Sequence, residues 1–205
     1  MLGQNQDQLS HTYSILDAAR IFGELDTAQQ LQTNFLSLYM GQSEELLSSV
    51  APYLFAYQPD SEFGKWLLEK GWGNSWGMFV ETTVSLEDLR KHFRKFLLVK
   101  TEDGKELYFR FYDPRVLRIF LPTCDKAQVK EFFGPVKQFM LEDEDPAFAL
   151  RYWLENFELK SARFEAKEGD LMRTESKVAN GEKSIADQKK EPAQNTSSNS
   201  NSWID

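Results

Sequence analysis

Between Tyr13 and Phe164 no apolar run goes far before a turn or helix-cap signal interrupts it, and this punctuation constrains the fold more than any single motif. Short apolar runs bounded by Gly, Pro, Asn, Asp or Ser read as strands; apolar residues recurring at the helical period behind a cap read as helices. The spacing predicts a strand over 13–17, a polar helix over 26–32 and a strand over 34–39. Ser43-Glu44-Glu45 then caps a short helix with Leu46, Leu47 and Val50 turned inward, and Pro52 ends it before an extended 53–57. Pro59-Asp60-Ser61 opens the next helix and Gly71 closes it, with Phe63, Trp66 and Leu67 as its buried stripe.

A strand over 78–82 runs into Ser85, which has Asp88 placed as in a capping box with a shorter acid. In the helix that follows, Leu86, Leu89, Phe93 and Phe96 or Leu97 share one face. The clearest hairpin pairs 96–100 with 106–112 around Asp103-Gly104. Asp113-Pro114 stops its second strand and starts a helix, with Asp as cap and Pro at the first helical position. Asp125 caps one more, with Val129, Phe132 and Phe133 inward and Gly134-Pro135 as the stop. A strand over 136–141 and a hairpin over 148–164 broken near Asn156 complete the order. That order predicts an α+β domain, a mixed β-sheet with helices packed on it, two lobes around a cleft being one form of it.

Composition changes near Glu165: from Lys167 on, large apolar residues nearly vanish until Trp203 and Ile204. Such a stretch buries too little surface to offset the entropy of ordering, so 167–205 is expected to be a disordered tail. Its Trp203-Ile204-Asp205 end is either a docking peptide or an untethered terminus. The remaining organisation is a flexible 1–11 and one domain over 12–166, in which 12–134 forms an α/β lobe and 135–166 the C-terminal strands. A chain of 205 residues has room for about one well-buried domain.

Lys and Arg total 24 against 32 Asp and Glu, a formal net charge of -8, which disfavours a nucleic-acid partner. No apolar run approaches the roughly 20 residues of a membrane crossing, and the polar start lacks the pattern of a leader, so the expectation is a soluble cytoplasmic protein without membrane insertion. Its single cysteine, Cys124, excludes an intramolecular disulfide or a cysteine-rich metal cluster.

Signs of catalysis are sparse. Of the two histidines, His11 lies at the ragged N-terminus and His92 sits among charged residues, on what reads as a solvated helix face; neither has a partner at metal-ligand spacing. The glycines of Gly71-Trp72-Gly73-Asn74-Ser75-Trp76-Gly77 fit neither a dinucleotide fingerprint nor a P-loop. Glu44-Glu45 reads as helix-start charge and 142–145 as a loop. No catalytic residue, metal or cofactor is therefore expected.

Two clusters stand out. Trp72 and Trp76, among glycines, make either a tight turn with core aromatics or an aromatic-lined groove. On a strand over 106–112, period two places Tyr108, Arg110 and Tyr112 on one face, and Asp113 and Arg115 follow at once. The plainer account of this group is an internal ion pair fixing the junction. The other is the polar floor of a binding cleft, where guanidinium forks meet a carboxylate or the carbonyls of a peptide.

Several of these segments occur in an order and spacing that resemble one family: Leu16-Asp17-Ala18-Ala19-Arg20, Ala51-Pro52-Tyr53-Leu54, Trp66-Leu67, the Trp72 to Gly77 segment, Leu89 to Phe93, Phe109 to Leu117 and Phe132-Phe133-Gly134-Pro135. The family is that of the type VI secretion adaptor-chaperones. The resemblance covers about residues 12 to 140, and Arg110-Phe111-Tyr112-Asp113-Pro114-Arg115 carries it most strongly. It implies a non-enzymatic bacterial cytoplasmic protein that binds a toxic effector and helps load it onto the secretion spike protein. The long polar tail departs from the family pattern.

On this reading Arg110, Tyr112, Asp113, Arg115, Trp72, Trp76 and Tyr108 would line one partner-binding cleft, and the acidic exterior would favour a basic partner segment. Two other classes stay open. A small enzyme would handle an anionic ligand at Arg110, Asp113 and Arg115. A subunit of a permanent complex would expose a large apolar patch.

Overall fold

The computed structural model describes residues 9–21, 23–100, 103–166 and 183–184. Strand β1 (His11–Asp17) is followed by α1 (Leu25–Leu31), β2 (Phe35–Ser37), α2 (Gln42–Leu47), β3 (Pro52–Ala56), α3 (Glu62–Gly71), β4 (Gly77–Thr82) and α4 (Leu86–Arg94). The hairpin β5 (Leu98–Lys100) and β6 (Glu106–Tyr108), α5 (Pro114–Phe120), α6 (Lys126–Phe133), β7 (Val136–Glu142), β8 (Phe148–Glu155), β9 (Glu158–Glu165) and the short β10 (Lys183–Ser184) complete it. Four helices start on side-chain caps: Ser61, Ser85, Asp113 and Asp125 accept the amides of Gly64, Asp88, Arg115 and Gln128. Each such cap is worth about 1 kcal/mol.

The fold is the expected α+β arrangement. Its main sheet runs β10-β9-β8-β7-β4-β1-β3-β2, with every pairing antiparallel. Facing residues share a side of the pleat. Phe55, Ser14, Phe79 and Met140 therefore point one way, and Ile15, Leu54, Met78 and Phe139 the other. Helix α3 covers the first face, where Phe63 stacks on Phe55 with centroids 5.2 Å apart. Helices α4 and α6 cover the second, through contacts of Phe93, Phe132 and Phe133 with Phe139. One hydrophobic core runs from β1 to β8 through both layers. Fully burying a Phe contributes about 1.5–3 kcal/mol, so the Phe55, Phe63, Phe93, Phe132 and Phe139 set dominates cohesion.

Two glycines are required by close approach. Gly77 faces Leu16 across the ladder, and a Cβ there would run into the Ile15 carbonyl. Gly134 ends α6 with φ of 47°, and a Cβ would enter the His92 ring.

Several local expectations are corrected. β1 begins at His11, inside the stretch expected to be ragged, because His11 pairs with Thr82. Leu46 and Val50 are exposed, since neither the short helix α2 nor the single turn Ser48–Val50 after it buries any residue. His92 is buried: it lies one helical turn from both Leu89 and Phe96, on the apolar stripe. The second hairpin strand ends at Tyr108, because Asp113 N donates to Arg110 O at 3.0 Å and turns the chain into its helix cap. The expected disordered tail lies outside the described residues except for Lys183–Ser184, which pairs with Arg163 and Ala162.

Candidate functional site

Asp17, the last residue of the central strand β1, continues the side of the pleat set by Tyr13 and Ile15 and so faces the α4 to α6 layer. The turn ahead of α5 brings Arg110 against it, and Arg110 Nη2 donates to Asp17 Oδ2. Asp17 Oδ1 accepts the Ala19 amide at 3.0 Å, so both carboxylate oxygens are engaged. Asp113, capping α5, receives Arg115 Nε at 2.9 Å and Nη2 at 2.6 Å, and Arg110 Nη2 lies 3.8 Å from its Oδ2. The result is a four-member chain, Asp17, Arg110, Asp113, Arg115, in which charges alternate.

Burial divides that chain sharply. The Asp17 and Asp113 side chains are 1% and 2% exposed, while those of Arg110 and Arg115 are 41% and 48% exposed. Anions hold the inside and cations look outward. Burial pushes the Asp17 carboxyl above its ordinary range, against the opposing pull of Arg110 and the Ala19 amide. Burial acts the same way on Asp113, but the bonds from Arg115 outweigh it and hold that carboxyl below the usual range.

Tyr112 is buried beside this chain and its hydroxyl interacts with that of Tyr39; burial raises its pKa further above the usual phenol value. Tyr39 in turn meets the exposed Tyr108 ring, with centroids 5.8 Å apart. Tyr108, Tyr112, Arg110, Asp113 and Arg115 thus form one neighbourhood, though Tyr112 belongs to its floor and not to its surface.

Trp72 and Trp76 are elsewhere. They flank the loop after α3, on the opposite side of the sheet, where Trp76 packs on Trp66 with centroids 5.4 Å apart. Glu142, the end of β7, organises that loop: Oε2 accepts the Gly73 amide at 2.6 Å, and Oε1 accepts the Ser75 amide and hydroxyl at 2.9 Å. Trp72 Nε1 donates to Pro146 O at 2.7 Å. A cavity of about 20 Å³ lies here, lined by Leu16, Trp72, Trp76 and Glu142 among others, too small for more than a water-sized guest. Trp72 and Trp76 therefore do not share a cleft with the arginines; the backbone bond from Asp17 N to Trp76 O, 2.9 Å, joins the two regions through the sheet.

Sequence reasoning missed Asp17, Tyr39 and Glu142. Asp17 carries no functional signal of its own in Leu16-Asp17-Ala18-Ala19-Arg20, and Glu142 ends β7 where the sequence predicts the start of a loop. The only signal for Glu142 was its place at the end of an apolar run. Among the described residues, no three His, Cys, Asp or Glu side chains gather as a metal-ligand set.

A family model described as Domain of unknown function (DUF4123) matches residues 12–131. The chain belongs to the DUF4123 family. That family is associated with type VI secretion effector adaptors. No curated protein and no solved structure matches the chain. The DUF4123 match takes in the whole Asp17, Arg110, Asp113, Arg115 chain and ends within α6, leaving Glu142 and the last strands of the sheet outside it. Among the described residues of this DUF4123 protein, no helix is long and apolar enough to cross a membrane.

Proposed function

We propose that the protein is a non-catalytic adaptor that binds a type VI secretion effector and helps load it onto the spike protein before export, acting in the bacterial cytoplasm. The family supplies the association with effector adaptors. The observation that carries the reading is the inversion of exposure in the four-charge chain: carboxylates engaged and buried, guanidinium groups half-exposed. A carboxylate acting as acid or base must reach its substrate. Asp17 and Asp113 are instead committed to positioning two arginines, which are suited to the carbonyl and carboxylate groups of a protein partner.

The test is affinity purification of the tagged protein from its native host, with size-exclusion chromatography and mass identification of what stays bound. A toxin-like effector or a spike protein at defined stoichiometry is the expected result. A monomer carrying a small molecule and no protein would overturn the proposal and favour an enzyme acting on an anionic ligand.

A further inference from the structure

Among the described residues, Ser75, Asn156 and Phe157 are the non-glycine residues with positive φ. Two of the three have a local reason. Ser75 is held by Glu142, which accepts both its amide and its hydroxyl, and asparagine is one of the few residue types that enter the left-handed region readily. Phe157 is bulky, and its φ of 60° is a strained one. Strands β8 and β9 pair without a break from Phe148 opposite Glu165 to Glu155 opposite Glu158, so Asn156 and Phe157 are the whole connection. Two-residue hairpin loops with positive φ at both positions fit the twist of their strands, and glycine is the usual second residue.

Burial does not offset this strain, because Phe157 is 65% exposed. Lys130 of α6 sits over its ring, 5.2 Å from the centroid, and a cation–π contact at an exposed site is weak. The tip is nonetheless stiff: Lys126 of α6 bonds Glu158 at 2.9 Å and ties the helix to the start of β9. Lys126, Lys130 and Lys160 are answered by Glu131, Glu155 and Glu158, so the ring, and not an excess of charge, distinguishes the tip. We infer that Phe157 is a preformed anchor that inserts into an apolar pocket of a protein partner, which the adaptor reading takes to be the effector.

A lone exposed phenylalanine is ordinary on a protein surface; one fixed in a left-handed turn at a cost to the free chain is not. A ring already held outward on a two-residue turn loses little freedom on binding. Large aromatic side chains seated in desolvated pockets dominate interface energies, and the complex is where the strain of this turn is repaid. The hairpin lies outside the matched residues 12–131, so the contact is separate from what the family match covers. The inference rests on the adaptor reading only in taking the partner to be the effector; the anchor is testable without it.

Phe157→Gly tests this because its two effects have opposite signs. Glycine adopts the turn without strain, so the urea midpoint of the full chain is expected to rise. The effector recovered with the tagged chain from its native host is expected to fall at least about tenfold, as loss of an interface anchor implies. Phe157→Trp, which keeps a large ring, is expected to retain recovery. In the same host, the full chain with p-benzoylphenylalanine at position 157 is irradiated beside a control carrying it at the exposed position of Glu69 on α3. Crosslinks from position 157, and not from 69, to apolar residues of the effector are expected. A lowered urea midpoint in Phe157→Gly, crosslinks to charged segments alone, or no crosslinked protein overturns the inference. Effector recovered equally by wild type and by Phe157→Gly overturns it while the adaptor reading stands. Crosslinks to apolar residues of a protein that is neither effector nor spike, and whose recovery falls in Phe157→Gly, support the anchor and overturn the adaptor reading alone.

Discussion

Asp17 and Arg110, 93 positions apart in the chain, form an ion pair that ties the end of the central strand to the turn before α5. The carboxylate is buried and the guanidinium is half exposed, so the two ends of the bond respond differently to substitution. Removing the guanidinium strands a buried carboxylate, whereas replacing both partners leaves no uncompensated charge.

Arg110→Ala is accordingly expected to lose about 2–3 kcal/mol, below the range for a fully buried pair because Arg110 keeps solvent contact. The double variant Asp17→Asn/Arg110→Ala is expected to lose less than the sum of its single changes. Urea unfolding of the four proteins in a double-mutant cycle measures this coupling; strict additivity would mean that the pair does not hold the turn.

Arg115 and Asp113 give a pH signature with a definite sign. The folded Asp113 carboxyl titrates below its unfolded range, so its contribution is fully present above the unfolded pKa and is lost as pH falls through the folded one. Arg115→Gln removes the bidentate bond and brings the folded pKa up toward the unfolded value. Acid unfolding should then start at higher pH, with roughly 1 kcal/mol lost at neutral pH, small because Arg115 is half exposed. Asp17, whose carboxyl is raised, has the opposite sign: its protonated form is favoured in the folded chain, and stability declines as pH rises through the folded pKa. Carboxyl ¹³C titration of the two residues separates them.

Most helix caps and turn residues were legible in the sequence because they act within a few positions of one another: Ser61, Ser85, Asp113 and Asp125 cap as expected, whereas Ser43 lies inside α2, whose N-cap is Gly41 with no side-chain cap bond. Asn156 and Phe157 turn the last hairpin with φ of 51° and 60°. Parity along a strand holds only while the strand continues. Once Asp113 N bonds Arg110 O, Tyr112 swings inward and the shared face expected for Tyr108, Arg110 and Tyr112 dissolves. His92 was legible but overlooked, since Leu89, His92, Phe93 and Phe96 follow the i, i+3, i+4, i+7 pattern. Asp17 and Glu142 were not, because their partners are supplied by tertiary structure alone.

Glu142→Gln tests the loop that carries Trp72 and Trp76. The carboxylate accepts from Gly73 N, Ser75 N and Ser75 Oγ, and an amide offers one acceptor oxygen and one donor group in its place. One loop amide would face another donor, at a cost of about 1–3 kcal/mol. Because the loop sets the Trp76 position, tryptophan emission should shift to the red along with the lowered urea midpoint. An unchanged spectrum and midpoint would mean that the loop holds its conformation without Glu142.

His92 and Gly134 make one unit at the end of α6. The ring nitrogen Nε2 lies 2.8 Å from Phe132 O, and the ring fills the space that a Gly134 side chain would need. Burial lowers the His92 pKa, with the Phe132 carbonyl pulling the other way. The folded chain thus resists protonation that the unfolded chain accepts: stability is complete above the unfolded histidine range and falls as pH drops through it toward the folded pKa. His92→Gln should flatten that fall between roughly pH 7 and 5, read as urea midpoints across the range. Gly134→Ala combines a left-handed φ with the ring clash and should lose at least about 2 kcal/mol. In Gly134→Ala/His92→Ala the clash is relieved but the φ strain stays, so partial recovery is expected relative to the sum of the single changes. Full additivity would show that backbone conformation alone, and not the packed ring, dictates glycine at that position.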